Sequence, residues 1–488
     1  MPHLTRAAIV LACCLAPCTG ASAAVLVTRP VSVQAVTPDS VTLVWRTATP
    51  STARVEYGPT LEYGSSAESK LPTTDHALTL HRLTPGTEYF YRVLCGGEIV
   101  YAGPEYRFRT VPDKRTARFR FLVFGDSGKG GPVQESLVPG LLAAEPDFVL
   151  HTGDVVYPAG EPQDFDPKYF VPYADLLRRT PVWLALGNHD MMTDNGAPYL
   201  DSFLLPRNPA GNERYYSFNY GSAHIVVLDS NGAFGPDLVS WLHDDLERAT
   251  TAWKFVVMHH PMYSCGMHGS DYELRNLLGP IFEQHGVDLV FAGHDHDYQR
   301  SHPMRNGDPI DVEQAPNFRQ PRGVLYIVTG GGASPRTTSA KCRFTARAIA
   351  ATHFTQVDVD GAQLALRAVD PDGQVLDEIT IDKSAAPAPQ AQAGSSGRAE
   401  FLESVPNPFN PSTVLRYRLR YPAAVQLGVF DLAGREIRRL TAGVQAAGEH
   451  QLVWDGRDAA GRAVASGVYL VRLQLGPDAL TRKLVLAK

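Results

Sequence analysis

Cysteine is scarce in this chain: there are six in 488 residues, and three of them (Cys13, Cys14 and Cys18) fall close to the start. A fold stapled together by many disulfides is therefore excluded. The remaining Cys95, Cys265 and Cys342 permit one bridge and leave one thiol over, and the expected pairing is Cys265 with Cys342, both in the central segment. Long apolar runs are also missing beyond the first residues. None approaches the roughly 20 residues needed to cross a bilayer, so no transmembrane segment is expected. Basic residues are not in excess, with 45 Lys plus Arg against 51 Asp plus Glu and a formal charge of −6. A chain that binds nucleic acid needs cations to neutralise phosphates, so a nucleic-acid partner is not expected. With 20% charged and 44% hydrophobic residues, wholesale disorder is disfavoured as well.

The one apolar run lies at the start. Arg6 precedes residues 7–15, and small residues then end in Ala21-Ser22-Ala23. A basic n-region, a short apolar stretch and an A-x-A site read as a secretory signal peptide over 1–23, which implies a secreted or cell-surface protein. At roughly 100–200 residues per domain, the length calls for two to four domains. Residues 24–112 alternate apolar and polar between turns and predict an all-β sandwich. Residues 118–383 instead carry short continuous apolar runs with helical stretches between them, including 237–249 and 273–285. That pattern predicts α/β layers with buried sheets. Residues 384–399, rich in Ala, Pro, Gln, Gly and Ser, read as a linker. A second small β module follows over 400–488.

The chemistry-bearing residues cluster where apolar runs end, in most cases at a glycine. Gly125-Asp126-Ser127-Gly128, Gly153-Asp154 with Tyr157, Gly187-Asn188-His189-Asp190, His259-His260 and Gly293-His294-Asp295-His296 each follow such a run. Ligand sites of α/β folds gather at strand ends, where glycine lets the backbone turn sharply. Eleven of the sixteen histidines lie between His151 and His302. Asp, Asn, Tyr and His without thiolate form a mixed oxygen and nitrogen ligand set suited to Fe, Mn or Zn.

The set and order of these motifs resemble the metallophosphoesterase superfamily and, within it, the purple acid phosphatases. Tyr215-Tyr216-Ser217-Phe218-Asn219-Tyr220 and Asp297-Tyr298-Gln299-Arg300 add to the likeness. Many metallophosphoesterases have a histidine where this chain has Gly128, and here Tyr157 is supplied three residues after Asp154. The resemblance implies two central mixed sheets flanked by helices and a binuclear centre. Asp126, Tyr157 and His296 would hold Fe(III), Asp154 would bridge, and Asn188, His259 and His294 would hold a second divalent metal (Fe, Zn or Mn). It further implies hydrolysis of small-molecule phosphate esters, as an acid phosphatase, by attack of a metal-bound hydroxide. His189 would contact phosphate and His268 would be the general acid. His151 and His260 are expected to orient ligands, and Asp190 to brace His189.

Two flanking modules carry resemblances of their own. Trp45 and the run Leu83-Thr84-Pro85-Gly86-Thr87-Glu88-Tyr89-Phe90-Tyr91 resemble a fibronectin type III domain, like the N-terminal domain of larger purple acid phosphatases. Asn407-Pro408-Phe409-Asn410-Pro411, Trp454-Asp455-Gly456 and the basic Arg482-Lys483 resemble a type A sorting domain of the type IX secretion system and the Ig-like module of hook-capping proteins. The implied partner is the type IX machinery. A phosphodiesterase or nucleotidase on the same scaffold, and a surface adhesin with a degenerate catalytic domain, are the competing expectations.

Overall fold

The computed structural model describes residues 25–232, 234–332, 334–335, 342–384, 399–419, 423–431, 434–475 and 478–487. The expected signal segment and all but the two end residues of the expected linker lie outside them.

The first domain is built from six strands, Val27–Gln34, Ser40–Gly58, Ser65–His81, Glu88–Cys95, Glu98–Tyr101 and Arg107–Arg109. Alternation in the sequence predicts separate strands over 41–45 and 53–57, but the backbone runs through both as one strand of 19 residues. Its first part pairs with Val27–Gln34 and its second with Glu88–Cys95, while Ser65–His81 follows it throughout. The pairing register shifts between Arg46, Ser51 and Ala53, around Pro50, which has no N–H to give to a ladder. Trp45 is buried in this domain, stacked on His76 at 4.9 Å between ring centres, and its indole N–H points at the Cys95 thiol at 3.2 Å.

Several side chains tie this domain to the next, among them Tyr91 and Arg29. The Tyr91 hydroxyl donates to the Arg178 carbonyl at 2.6 Å. Arg29, nearly inaccessible, pairs with Asp166 and lies 4.1 Å over the Phe170 ring. A buried guanidinium must be paired, so this contact fixes the relative placement of the two domains.

The middle domain holds two seven-stranded sheets. One runs Asn317–Arg319, Val375–Asp382, Gln363–Val369, Phe354–Asp360, Arg118–Phe124, Phe148–His151, Val182–Leu184. The other runs Tyr216–Tyr220, Ala223–Val227, Trp253–Val257, Leu289–Ala292, Leu325–Thr329, Tyr298–Ser301, Thr345–Ile349. Both are mixed, as the resemblance implied, with parallel pairing in the strands that precede the glycine-containing motifs. Side-chain alternation sorts the layers. Ile225, Phe255 and Phe291 face the other sheet, where Phe121 stacks on Phe148 at 5.0 Å and meets Phe255 at 5.3 Å. Val226, Val256 and Val290 face outward onto Leu242, Leu246, Leu278 and Phe282 of the helices Pro236–Arg248 and Tyr272–His285. The second helix starts on Asp271, whose carboxylate accepts from the Leu274 N–H, and stops at Gly286 in the left-handed conformation. Cys265 and Cys342 form the expected disulfide, and Cys95 is a buried free thiol.

The last domain is a β-sandwich. Ala399–Val405, Thr413–Leu419 and Gly448–Trp454 form one sheet, and Glu436–Gln445, Ala423–Phe430, Gly467–Leu475 and Asp478–Leu486 the other. Phe409, Leu415, Tyr417, Leu427, Trp454 and Val471 fill the space between them. No helix among the described residues is long and apolar enough to cross a membrane.

Candidate metal centre

The parallel strands of the two sheets deliver their following turns to one place. Asp126, Asp154 and His294 each take a left-handed backbone conformation, at φ 57°, 52° and 69°. Such a conformation costs a non-glycine residue roughly 1–3 kcal/mol and persists only where the surroundings dictate it. Both Asp126 oxygens accept the His294 backbone N–H at 3.0 Å, so the third strand-end turn is pinned to the first. The Asp154 carboxylate accepts the His189 backbone N–H at 2.9 Å, which ties the turn after Val182–Leu184 to the turn after Phe148–His151.

Gly128 explains how Tyr157 reaches the site. A Cβ at that position would sit 1.8 Å from the Val155 carbonyl oxygen, so only glycine lets the 155–157 segment pack there. The Tyr157 N–H then bonds to the Gly128 carbonyl at 2.9 Å, and the phenol lies 3.2 Å from Asp126 Oδ1 and 3.1 Å from His296 Nε2.

Hydrogen bonds on the far side of two rings set their tautomers. His259 Nδ1 gives its proton to the Thr152 carbonyl at 2.9 Å, which leaves a lone pair on Nε2. That lone pair meets Asn188 Oδ1 at 2.9 Å, His294 Nδ1 at 3.2 Å and Asp154 Oδ1 at 3.4 Å. His296 Nδ1 likewise donates to the Ser334 carbonyl at 3.0 Å, turning its Nε2 lone pair toward Tyr157 and Asp126. One ligand atom from each of Asp126, Asp154 and His259 lies within 4.8 Å of the others. Converging lone pairs and two buried carboxylates form a donor set that fits cations.

Protonation follows from burial. The Asp126 carboxyl is held far above the usual carboxylate range by burial and then by the charge of Asp154. His259 is driven strongly toward its neutral form by burial, and His294 is pushed down to about 2 by burial and the neighbouring imidazoles. Burial also raises the Tyr157 phenol, with Asp126 and Asp154 adding to the effect. Positive charge placed among these groups would favour the ionised carboxylates and phenol.

The structure thus brings Asp126, Asp154, Tyr157, Asn188, His259, His294 and His296 together. Asp154, Tyr157, Asn188, His294 and His296 also line an open cleft of about 480 Å³ with His189 and His268. The His189 ring lies 4.5 Å from Tyr157, with Nδ1 bonded to the Pro158 carbonyl at 2.5 Å; the His268 ring lies 4.2 Å from His294. Ser230 accepts the His259 and His260 N–H groups, so its own proton goes to His260 Nδ1 at 2.9 Å. His260 then offers an N–H rather than a lone pair, although it lies within ligand distance of His259 and His294. His151 accepts the Gly153 N–H on Nδ1 and donates from Nε2 to Ser127 Oγ, behind the site.

Asp190 acts differently from the expectation. Its buried carboxylate, raised to about 8 by burial and Asp154, does not touch the His189 ring but accepts the N–H groups of Val155, Val156 and Gly187. It holds the two turns that carry Asp154 and Asn188. Sequence reasoning missed Lys129 and Lys168, which also line the cleft. The Lys129 ammonium lies 5.0 Å over the Tyr157 ring, while Lys168 bonds to the Tyr157 carbonyl and to Asp164. Lys129 directly follows the first motif and could have been noticed; Lys168 sits in a one-turn helix with no motif around it.

Residues 119–298 match the calcineurin-like phosphoesterase family, and residues 29–110 match the purple acid phosphatase N-terminal domain. The first two domains are purple acid phosphatase-like. Residues 411–476 match the FlgD Ig-like domain. Human acid phosphatase type 7 is 28% identical over 401 residues, covering 70% of this chain and 88% of the human protein. Purple acid phosphatase 21 of Arabidopsis thaliana is 30% identical over 273 residues, or 53% of this chain and 58% of that one. In fold, the chain is similar to a purple acid phosphatase isolated from yellow lupin (Lupinus luteus) seeds, with a TM-score of 0.64 at 20% identity over 73% of this chain and 74% of that chain. The middle domain thus matches the metallophosphoesterases in sequence over residues 119–298, and the relatives named above carry acid phosphatase names.

Proposed function

We propose that this chain hydrolyses phosphomonoesters at a binuclear metal centre. The observation that carries the reading is the convergence of seven oxygen and nitrogen donors beside one open cleft. Asp126, Tyr157 and His296 would hold Fe(III), Asn188, His259 and His294 a second ion (Fe, Zn or Mn), and Asp154 both. Bound there, two ions supply positive charge for the phosphoryl oxygens and a water of lowered pKa. The chain's own residues do the rest. His189 contacts a phosphoryl oxygen, Lys129 adds positive potential to the cleft wall, Lys168 holds the Tyr157 backbone in place, and His268 gives its proton to the ester oxygen as the bond to phosphorus breaks.

Rates on an aryl monoester and a bis-aryl diester, with the visible spectrum of the purified protein, test this reading. Faster monoester turnover by a coloured protein is the expected result. A diester preference would transfer the site to phosphodiesterase or nucleotidase chemistry, and metal-loaded protein that turns over neither would favour the adhesin.

We also propose that the protein is exported, with 1–23 removed, the first sandwich serving as a fibronectin type III-like spacer and the Ig-like tail read by type IX machinery. Intact mass of the secreted protein tests this, since a mature chain still ending at Lys488 would contradict use of the tail as a removable sorting signal.

A further inference from the structure

The segment that supplies His294 and His296 also holds the loop that carries His268. Asp295, buried between them, accepts the His268 backbone N–H on Oδ1 at 2.8 Å, and its Oδ2 accepts the Ser264 hydroxyl. Ser264 Oγ in turn accepts the Gly266 N–H at 2.9 Å and a Gln299 amide N–H at 2.8 Å. Gln299 Oε1 accepts the Cys265 N–H at 2.7 Å. The backbone N–H groups of Cys265, Gly266 and His268 thus all end on one buried polar cluster. The loop lies so close to Asp295 that a Cβ at Gly266 would fall 2.3 Å from the carboxylate carbon.

We propose that Asp295 is the positioning residue that sets where His268 stands relative to the metal centre. Its carboxylate grips the loop at both ends, at Ser264 and at His268 itself, while its backbone is fixed by the two flanking residues. The His268 ring is thereby held against His294, on the wall of the cleft. This inference rests on the phosphatase reading and on the acid role of His268. It predicts that loss of Asp295 is felt in proton delivery, not in phosphate capture.

The test compares Asp295→Ala, Asp295→Asn, His268→Ala and the double variant Asp295→Ala/His268→Ala with the wild type, on p-nitrophenyl phosphate and on glycerol 2-phosphate. A nitrophenolate leaves without much help and an alkoxide does not, so loss of a general acid should weigh on the second substrate. For Asp295→Ala we expect kcat on the alkyl ester to fall on the order of 100-fold, the aryl ester to lose far less, and KM and metal content to hold. Asp295→Asn, which keeps the acceptor for the His268 N–H, should recover at least about tenfold of that loss. The double variant should be no slower than His268→Ala, because the two residues act through one step. Equal losses on both esters, a lower metal content, or additive losses in the double variant would overturn the assignment. Should Asp295→Ala not fold, Ser264→Ala, which removes one of the two groups gripped by the carboxylate, should show the same leaving-group dependence at smaller size, and a flat dependence would overturn the assignment. Absence of turnover of either ester by the wild type would retire the phosphatase reading itself, a result distinct from any of these.

Discussion

The Tyr157 hydroxyl lies 3.1 Å from Nε2 of His296. The two residues are 139 positions apart in the chain and come from turns of different sheets, yet both face Asp126. A phenol at this point can bind a ferric ion as phenolate and give the site colour. Tyr157→Phe is expected to leave the fold intact and to abolish the visible band. A spectrum unchanged by the substitution would remove Tyr157 from the ligand set.

Lys129 places an ammonium above the Tyr157 ring on the cleft wall. An anionic substrate gains from that charge on entry, and the charge is partly screened by solvent. Lys129→Ala should raise KM for a phosphomonoester about three- to tenfold with little change in kcat, the signature of lost uniform binding. Steady-state kinetics at low and moderate salt would check it, and the difference should shrink as salt rises.

The disulfide joins Cys265, at the foot of the His268 loop, to Cys342, 77 residues on. Closing a loop of that length limits the unfolded chain by about 4 kcal/mol in the chain-entropy account. The double variant Cys265→Ala/Cys342→Ala should lose stability of that order in denaturant unfolding, with the middle domain affected first.

His353 is fully buried beneath the second sheet, donating from Nδ1 to the Ala351 carbonyl and meeting Thr329 Oγ1 through Nε2, with the Tyr298 ring packed across it. Burial pushes its pKa from the ordinary 6.5 down to about 4. The unfolded chain therefore binds a proton that the folded chain refuses, and stability rises with pH across that window. The contribution is fully present above pH 6.5 and is lost as pH falls toward 4. It amounts to roughly 3 kcal/mol. His353→Gln should flatten the fall of Tm between pH 6.5 and 4.

Much of the site was legible because strand ends are legible. Apolar runs that stop at glycine followed by Asp, Asn or His mark where a buried strand meets a ligand-bearing turn, and six of the seven proposed ligands sit at or just beyond such stops; His259 follows its apolar run directly after Met258. What stayed hidden depends on three-dimensional return. Asp190 looks like a neighbour of His189, but its side chain turns inward to hold three N–H groups from two turns. Asp295 and Gln299 lie within motifs that assign them no role of their own, and only the folded 264–268 loop shows what their side chains grasp. The alternating pattern divides Ser40–Gly58 into segments 41–45 and 53–57, whereas the backbone continues through Pro50 as one strand by shifting its pairing register there.

Metal stoichiometry measured alongside phosphate release, for the wild type and Asp154→Asn, bears most directly on the binuclear phosphatase. The Asp154 carboxylate lies 3.4 Å from His259 and within 4.8 Å of an Asp126 oxygen, one residue from each proposed ligand group. The wild-type chain should hold two metal ions and turn over phosphomonoesters, and Asp154→Asn should hold no more than one ion with turnover lost. Full turnover by metal-free wild type, or two ions and wild-type turnover retained by Asp154→Asn, would contradict a binuclear phosphatase.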